Sequence, residues 1–263
     1  SLLATFINIS DFYKSNNLIN HIFKVIITFL VIYFLTFGYT LLYYHLKSRV
    51  VYFKYNSFEV SGTYGNILDY IGASKVNLIV PVNSCFDTKI DESVISTNSL
   101  HGKVIKFLYD NNLVSQTVLD KKIKSSLKEQ GISSVNIGND VKKGGKSVGN
   151  YNRYPIGSTA FVDIGNVRYH FIALSIIEKN KNAKTSDQDY LVVLNAIVDN
   201  CFRNSNGNPI YLPLIGSGLS KLNYNHQQQL EFMVKYFMLR KTKLTSDVEI
   251  VIRKEDGDTI SIL

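Results

Sequence analysis

The sequence predicts an α/β domain of layered architecture that follows a membrane-spanning helix. Beyond Arg49, short runs rich in β-branched residues alternate with helical stretches, the pattern of a sheet covered by helices. Before Arg49, a run of 20 residues carries no charged side chain, and this length crosses a hydrocarbon core of about 30 Å. We therefore expect a membrane region at residues 1–48 and a folded domain at residues 49–263.

The uncharged run, residues 25–44, indicates a transmembrane helix at about residues 23–45. A buried core helix is the alternative reading, although such helices are usually shorter and interrupted by polar positions. Lys47, Arg49 and Lys54 follow the run, so the positive-inside rule places the C-terminal domain in the cytoplasm. Apolar residues at helical spacing in residues 2–13 leave open an interfacial helix or the tail of an earlier span.

Composition narrows the class of protein further. The 263 residues are 45% hydrophobic, which argues against disorder, and the net charge of +8 favours an anionic partner: phospholipid, nucleic acid or a phosphorylated small molecule. The two cysteines, Cys85 and Cys201, are far apart and form no CxxC pair, so neither a disulfide framework nor a zinc site is predicted. The five histidines show no metal-ligand spacing, and no metal or other cofactor is expected.

The folded domain is predicted from its elements in chain order. Strands are expected at residues 50–60, 76–82, 159–164, 167–175, 209–214 and 247–253. Residues 99–129 indicate two helices, and the lysines of the second helix are expected on a solvated face. A third helix should begin after Ser186, with Asp189 completing a capping box, and residues 131–152 are expected to form a long surface loop.

Two motifs are excluded as functional sites. Gly145-Lys146-Ser147 ends like a phosphate-binding P-loop, but the first glycine of that motif would fall on Asp140 and no apolar strand precedes it. Ser217 lies between two glycines but not in the GxSxG pattern of a hydrolase nucleophile.

One glycine turn stands out, because it follows the predicted strand at 209–214. Gly216 and Gly218 would let the backbone approach a ligand closely, and free amides before a helix bind phosphate without a lysine. A glycine turn after a strand is often only a turn. Its companions strengthen the interpretation: Gly65-Asn66-Ile67 follows the first strand, Asn83 ends the second, and Ser99 opens a helix.

This ordered set resembles the macro domain, a three-layer α/β/α fold with a mixed sheet that binds ADP-ribose. Four segments, 81–88 (PVNSCFDT), 98–102 (NSLHG), 153–157 (RYPIG) and 213–218 (PLIGSG), are more narrowly similar to the membrane-tethered macro-domain effectors (ThsA) of type II Thoeris anti-phage defence. The resemblance covers roughly residues 50–255 and includes the preceding membrane helix.

The resemblance implies a receptor at the bacterial inner membrane with its macro domain in the cytoplasm. A partner TIR-domain enzyme would supply a nucleotide second messenger, histidine-ADP-ribose, and its binding would lead to homo-oligomers and membrane disruption, by a pore or otherwise. The residues that the resemblance assigns to ligand binding are Gly65, Asn66, Ile67, Asn83, Phe86, Asp87, Ser99, His101, Gly102, Gly157, Leu214, Ile215, Gly216, Ser217, Gly218 and Leu219. The usual macro-domain acid is Asn66 here, so charge assistance to the adenine amino group would be lost.

Two other functions remain as alternatives. Some macro domains hydrolyse ADP-ribosyl linkages, and Asn83, Asp87 and His101 could supply polar groups, but no paired carboxylates or nucleophile with its base can be identified. A nucleic-acid partner is not expected, because no motif interleaves basic and aromatic residues.

Overall fold

The computed structural model describes residues 18–46, 48–72, 75–91, 94–138, 148–177, 183–216 and 225–262. The chain divides into two units between Ser48 and Arg49.

In its described residues the first unit forms a long apolar helix, α1 (Leu18–Leu46). Its segment Ile22–Tyr43 has a mean hydropathy of 2.2 and is long and apolar enough to cross a membrane. The hydroxyls of Thr28, Thr36 and Thr40 donate to carbonyls four residues earlier at 2.8–2.9 Å. The helix therefore satisfies these polar groups internally, as an apolar environment requires.

The second unit consists of strands and helices in alternation. Its strands are β1 (Arg49–Tyr55), β2 (Phe58–Tyr64), β3 (Val76–Asn83), β4 (Val135–Asn136), β5 (Asn152–Arg153), β6 (Thr159–Ile164), β7 (Val167–Ile177), β8 (Ala183–Lys184), β9 (Ile210–Pro213) and β10 (Val248–Ile252). Its helices are α2 (Leu100–Asp110), α3 (Gln116–Glu129), α4 (Asp187–Ala196), continued by a π-helical turn (Ile197–Phe202), and α5 (His226–Leu239).

The main sheet is mixed. Its order is β1-β2-β10-β9-β3-β7-β6, with β8 paired to the end of β7. β2, β10, β9, β3 and β7 are parallel to one another, whereas β1 and β6 pair antiparallel at the two sides. The C-terminal ends of the five parallel strands therefore meet along one margin of the sheet, here named the carboxyl edge.

Helices cover both faces of the sheet. Along β3, Leu78 and Val80 pack into the core shared with α2 and α3, while Ile79 packs into the opposite core with α4 and α5. Alternate residues of a strand point to opposite faces, so a strand covered on both sides is apolar throughout. The structure is a three-layer α/β/α sandwich, as predicted.

Most predicted elements are present. Ser186 and Asp189 form the expected capping box of α4, and Ser99 and Ser115 cap α2 and α3. The lysines of α3 are exposed, as expected for a solvated face: Lys121, Lys122, Lys124 and Lys128.

The prediction of one continuous strand at residues 50–60 is wrong, because this stretch contains the turn of a hairpin formed by β1 and β2. Tyr55 pairs with Phe58, and Asn56 adopts a left-handed φ of 54°, which asparagine tolerates better than most residues. No glycine or proline marks the turn, so the stretch resembles one continuous strand.

The stretch at residues 131–152, expected to be a loop, contributes to a small two-stranded sheet. β4 and β5 pair antiparallel near its two ends, while residues 139–147, including Gly145-Lys146-Ser147, lie outside the described residues.

Candidate functional site

The turn after β2 lies at the carboxyl edge. The Gly65 amide donates to the Ile252 carbonyl at 2.8 Å, and Asn66 Oδ1 accepts from the Leu68 amide at 3.1 Å, capping a short 3₁₀ helix (Ile67–Tyr70). A Cβ built on Gly65 would meet only Val251 Cγ1, at 3.8 Å. The described part of the fold therefore gives no steric reason for glycine at this position. One lone pair of the Asn66 amide oxygen is engaged in the cap.

The end of β3 is shaped by the side chain of Asn83. Its Oδ1 accepts from the Cys85 amide at 3.0 Å and from the Asp87 amide at 3.5 Å, which fixes a turn. Within this turn Phe86 has a left-handed φ of 50°, a conformation that costs on the order of 1 kcal/mol or more for a residue with a Cβ. The Phe86 ring is buried and packs edge-on against Tyr154. Phe86 thus serves the core, while its strained backbone lies at the carboxyl edge.

Asp87 and His101 are both buried next to this turn. Asp87 Oδ1 accepts from the Asn150 amide at 2.6 Å, and Asn150 Nδ2 donates to the Phe86 carbonyl at 2.9 Å. Burial lowers the pKa of His101 to about 3, and a hydrogen bond to the Asp87 backbone opposes this shift only in part. His101 is therefore neutral at physiological pH, and the Asp87 carboxylate anchors the segment that contains Asn150.

The predicted glycines Gly102 and Gly157 have structural reasons. A Cβ on Gly102 would lie 2.2 Å from the Ser96 carbonyl oxygen, and the Gly102 amide donates to Ser99 Oγ in the α2 cap. Gly157 has a φ of 83°, and a Cβ there would lie 2.9 Å from Val192 Cγ1 on α4. The packing of α2 and α4 requires both glycines, whatever a ligand does.

The turn after β9 is described as far as Gly216. Leu214, Ile215 and Gly216 are buried, and Gly216 has a left-handed φ of 87°. The other predicted members, Ser217, Gly218 and Leu219, lie outside the described residues. Helix α5 begins at an Asn225 capping box a few residues later.

The topology brings these turns into one row. The sheet order β2-β10-β9-β3 places the Gly65, Gly216 and Asn83 turns on the same edge, across three strand spacings of about 4.8 Å, or about 14 Å in total. Ligands of open α/β sheets bind in crevices outside the carboxyl ends of the strands. The arrangement can therefore hold an extended ligand that runs across the strand ends.

Two features of the domain were not predicted from the sequence. Asn150, which holds Asp87 and Phe86, lies in a stretch that had been predicted only as a loop, and no local signal marks it. Tyr70 stacks on Tyr211 with ring centroids 3.8 Å apart and donates to Glu249 at 3.2 Å. Alternation along the strand at 209–214 could have placed Tyr211 on one face of the sheet, but Tyr70 could not be placed. Among the residues that the structure describes, no group of histidine, cysteine and acidic side chains could hold a metal ion.

A three-layer sandwich with this mixed sheet and these strand-end turns is the architecture of a macro domain. Residues 60–253 match the family model of Thoeris protein ThsA, Macro domain, and the chain belongs to this family. Both the predicted fold and the predicted family are confirmed.

The individual proteins that match this chain share little sequence identity with it. Thoeris protein ThsA of Bacillus amyloliquefaciens (strain Y2) is 25% identical over 188 residues, which cover 70% of this chain and 59% of that protein. The match thus spans about three fifths of the relative's length. A mutant of the Oceanobacillus iheyensis macrodomain has 11% identity and a TM-score of 0.47, covering 81% of this chain and 93% of the other. The same macrodomain with ADP gives 12% identity, a TM-score of 0.41, and coverages of 81% and 92%.

Proposed function

We propose that this chain is a receptor of anti-phage defence that binds an ADP-ribose-derived nucleotide across the carboxyl edge. The observation that carries the proposal is Gly65, where a Cβ would meet no described atom closer than 3.8 Å. Membership of the ThsA macro-domain family supplies the class of ligand. The packing of the described residues does not explain a glycine at position 65, whereas close approach of a ligand to the backbone would explain it.

The ligand is an ADP-ribose derivative, and histidine-ADP-ribose made by a TIR-domain partner fits the Thoeris context. The nucleotide lies with its diphosphate at the turn that follows β9 and its distal ribose near Asn83. The positive charge of the chain, +8 overall, favours such an anion. Asn66 contacts the nucleobase without charge assistance.

We propose binding without chemistry, and a macro-domain hydrolase is the competing function. The Asn83 amide oxygen and the Asp87 carboxylate both accept backbone amides, and the His101 ring is buried. These contacts argue against a catalytic role for the three groups. Incubation with labelled ADP-ribose conjugates separates the two functions, since a receptor returns its ligand intact and a hydrolase does not.

The membrane part of the proposal rests on α1. Its span Ile22–Tyr43 would anchor the chain in the inner membrane with the macro domain in the cytoplasm, and ligand binding would drive homo-oligomerisation and membrane disruption. Dye leakage from cells that express the chain with a TIR-domain enzyme should require residues 1–46. Equal leakage without these residues would remove the membrane role.

The Gly65→Ala variant tests the binding site. Because the fold accommodates the extra methyl group, the free energy of unfolding should stay within about 0.5 kcal/mol of the parent. Calorimetric titration with ADP-ribose should nevertheless show at least tenfold weaker binding. Parental affinity in a stable Gly65→Ala protein would contradict a ligand at this turn.

A further inference from the structure

Arg153 on β5 carries a charge that the described protein does not neutralise. The residue is half-buried, and its Nε is shielded from solvent without a hydrogen-bond partner. In the part of the chain that the structure describes, its guanidinium forms no hydrogen bond or ion pair. Buried donors of a charged group are costly when left unpaired, so such a group calls for an anionic partner.

Backbone hydrogen bonds hold Arg153 beside the carboxyl edge. The amide of the next residue, Tyr154, donates to the Ser84 carbonyl at 2.8 Å, and Ser84 directly follows Asn83 at the end of β3. The Ser84 amide in turn donates to the Ser175 carbonyl on β7. The Ser84 hydroxyl is also buried and forms no hydrogen bond to any residue that the structure describes. Two unsatisfied polar groups therefore lie at the same strand end.

The cavity next to β5 does not include Arg153 in its lining. Asn152 and Tyr154 line this cavity of about 230 Å³ together with Phe86 and Ile123. The nearby Asp87 carboxylate already accepts the Asn150 amide at 2.6 Å.

We propose that Arg153, assisted by the Ser84 hydroxyl, binds an oxyanion of the nucleotide at the end of β3. The oxyanion is a phosphate or a carboxylate, since a guanidinium binds either through two parallel hydrogen bonds. The identity of the nucleotide rests on the proposed function, whereas the anion site itself does not.

The test compares Arg153→Gln with Arg203→Gln in the full chain in detergent. Arg203 is exposed and lies near the amino-terminal end of β3, on the side of the sheet opposite to the carboxyl edge. Its position follows from Ser205, two residues later, whose carbonyl accepts from Asn77 at the start of β3. Both variants remove one positive charge. Arg153→Gln should weaken nucleotide binding at least tenfold, as expected for a lost charge-assisted hydrogen bond, and Arg203→Gln should not.

Two titrants distinguish the sources of the oxyanion. An equal loss for ADP-ribose and histidine-ADP-ribose would assign a phosphate, and a loss confined to the histidine adduct would assign its carboxylate. Undiminished binding of both nucleotides by Arg153→Gln would overturn the proposal.

Thermal unfolding covers the remaining outcomes. The unliganded Arg153→Gln protein should melt no lower than Arg203→Gln, and a lower melting temperature would overturn the proposal by giving Arg153 a role in the fold.

If the parent binds neither nucleotide, the proposed function fails and inorganic pyrophosphate decides the anion site. Pyrophosphate should then stabilise the parent and Arg203→Gln but not Arg153→Gln, and equal stabilisation of all three would overturn the site.

Discussion

His170 shows how burial fixes the chemistry of a single side chain. Its Nε2 lies 2.9 Å from Asn77 Oδ1, and Asn77 Nδ2 donates to the carbonyls of Ser205 and Asn208. The ring must therefore donate from Nε2, which leaves Nδ1 as a buried acceptor without a partner in the described chain. Protonation would place a charge there, so burial lowers the pKa of His170 to about 3.

Stability should consequently fall in mild acid. His101 and His170 both have a folded-state pKa of about 3, against about 6.5 in an unfolded chain. The unfolded state binds protons first, so the stabilisation is present above pH 6.5 and is lost as pH falls towards 3. Between pH 7 and pH 5 we expect a loss on the order of 2 kcal/mol per histidine. Urea unfolding at the two pH values measures it, and equal midpoints would contradict the burial of both rings.

The Asp87→Ala variant tests whether this residue lets the protein distinguish histidine-ADP-ribose from ADP-ribose. We expect Asp87→Ala to weaken binding of histidine-ADP-ribose about tenfold more than binding of ADP-ribose, because a carboxylate can pair with a cationic group of the adduct. Asp87→Asn is the matched control, since it removes the charge but keeps an acceptor for the Asn150 amide. Calorimetry with both ligands decides. Equal losses in Asp87→Ala would leave Asp87 with the anchoring role alone.

At the scale of elements, the contact between Gly157 and α4 predicts a stability effect. Gly157→Ala adds a Cβ that would lie 2.9 Å from Val192 Cγ1, at a φ of 83° that disfavours side chains. We expect a loss on the order of 2 kcal/mol in the free energy of unfolding. Adding Val192→Ala, on the exposed side of α4, to the Gly157→Ala protein should restore part of this free energy, because it removes the Cγ1 methyl group that the new Cβ would meet. A parental midpoint for Gly157→Ala alone would show that α4 can shift freely.

The elements also show what a sequence can specify. The strand at residues 159–164 was predicted at its observed bounds, because alternation and the Gly165-Asn166 turn mark it locally. The hairpin at Asn56 was missed, because a left-handed asparagine leaves no glycine or proline signal.

For the site, the sequence singled out the turns at Gly65, Asn83 and Gly216, and the sheet order places these turns on one edge. The role of each side chain was not predictable. An oxygen on Asn66, Asn83 or Ser99 serves equally for a ligand or for a local cap, and only the folded backbone shows that all three form caps or turns. That Arg153 Nε has no partner among the described residues is likewise a property of the tertiary structure.

For the whole molecule, we expect several copies of the chain to associate when ligand binds. A single span cannot enclose an aqueous pore, so signalling through α1 should require several chains. The hydroxyls of Thr28, Thr36 and Thr40 bond to their own helix, so they would have to exchange partners to join neighbouring helices. Light scattering of the full chain in detergent should show a higher mass after ADP-ribose-type ligand is added. An unchanged mass with saturating ligand would contradict coupling by self-association.

Native mass spectrometry tests the central claim, that this macro domain binds an ADP-ribose-derived signal. The full chain in detergent would be exposed to extract from phage-infected cells that carry a TIR-domain enzyme, and then weighed with its bound ligand. We expect one added mass per chain, equal to an ADP-ribose adduct, which Gly65→Ala fails to retain. No added mass, or a bound species without ADP-ribose, would contradict it.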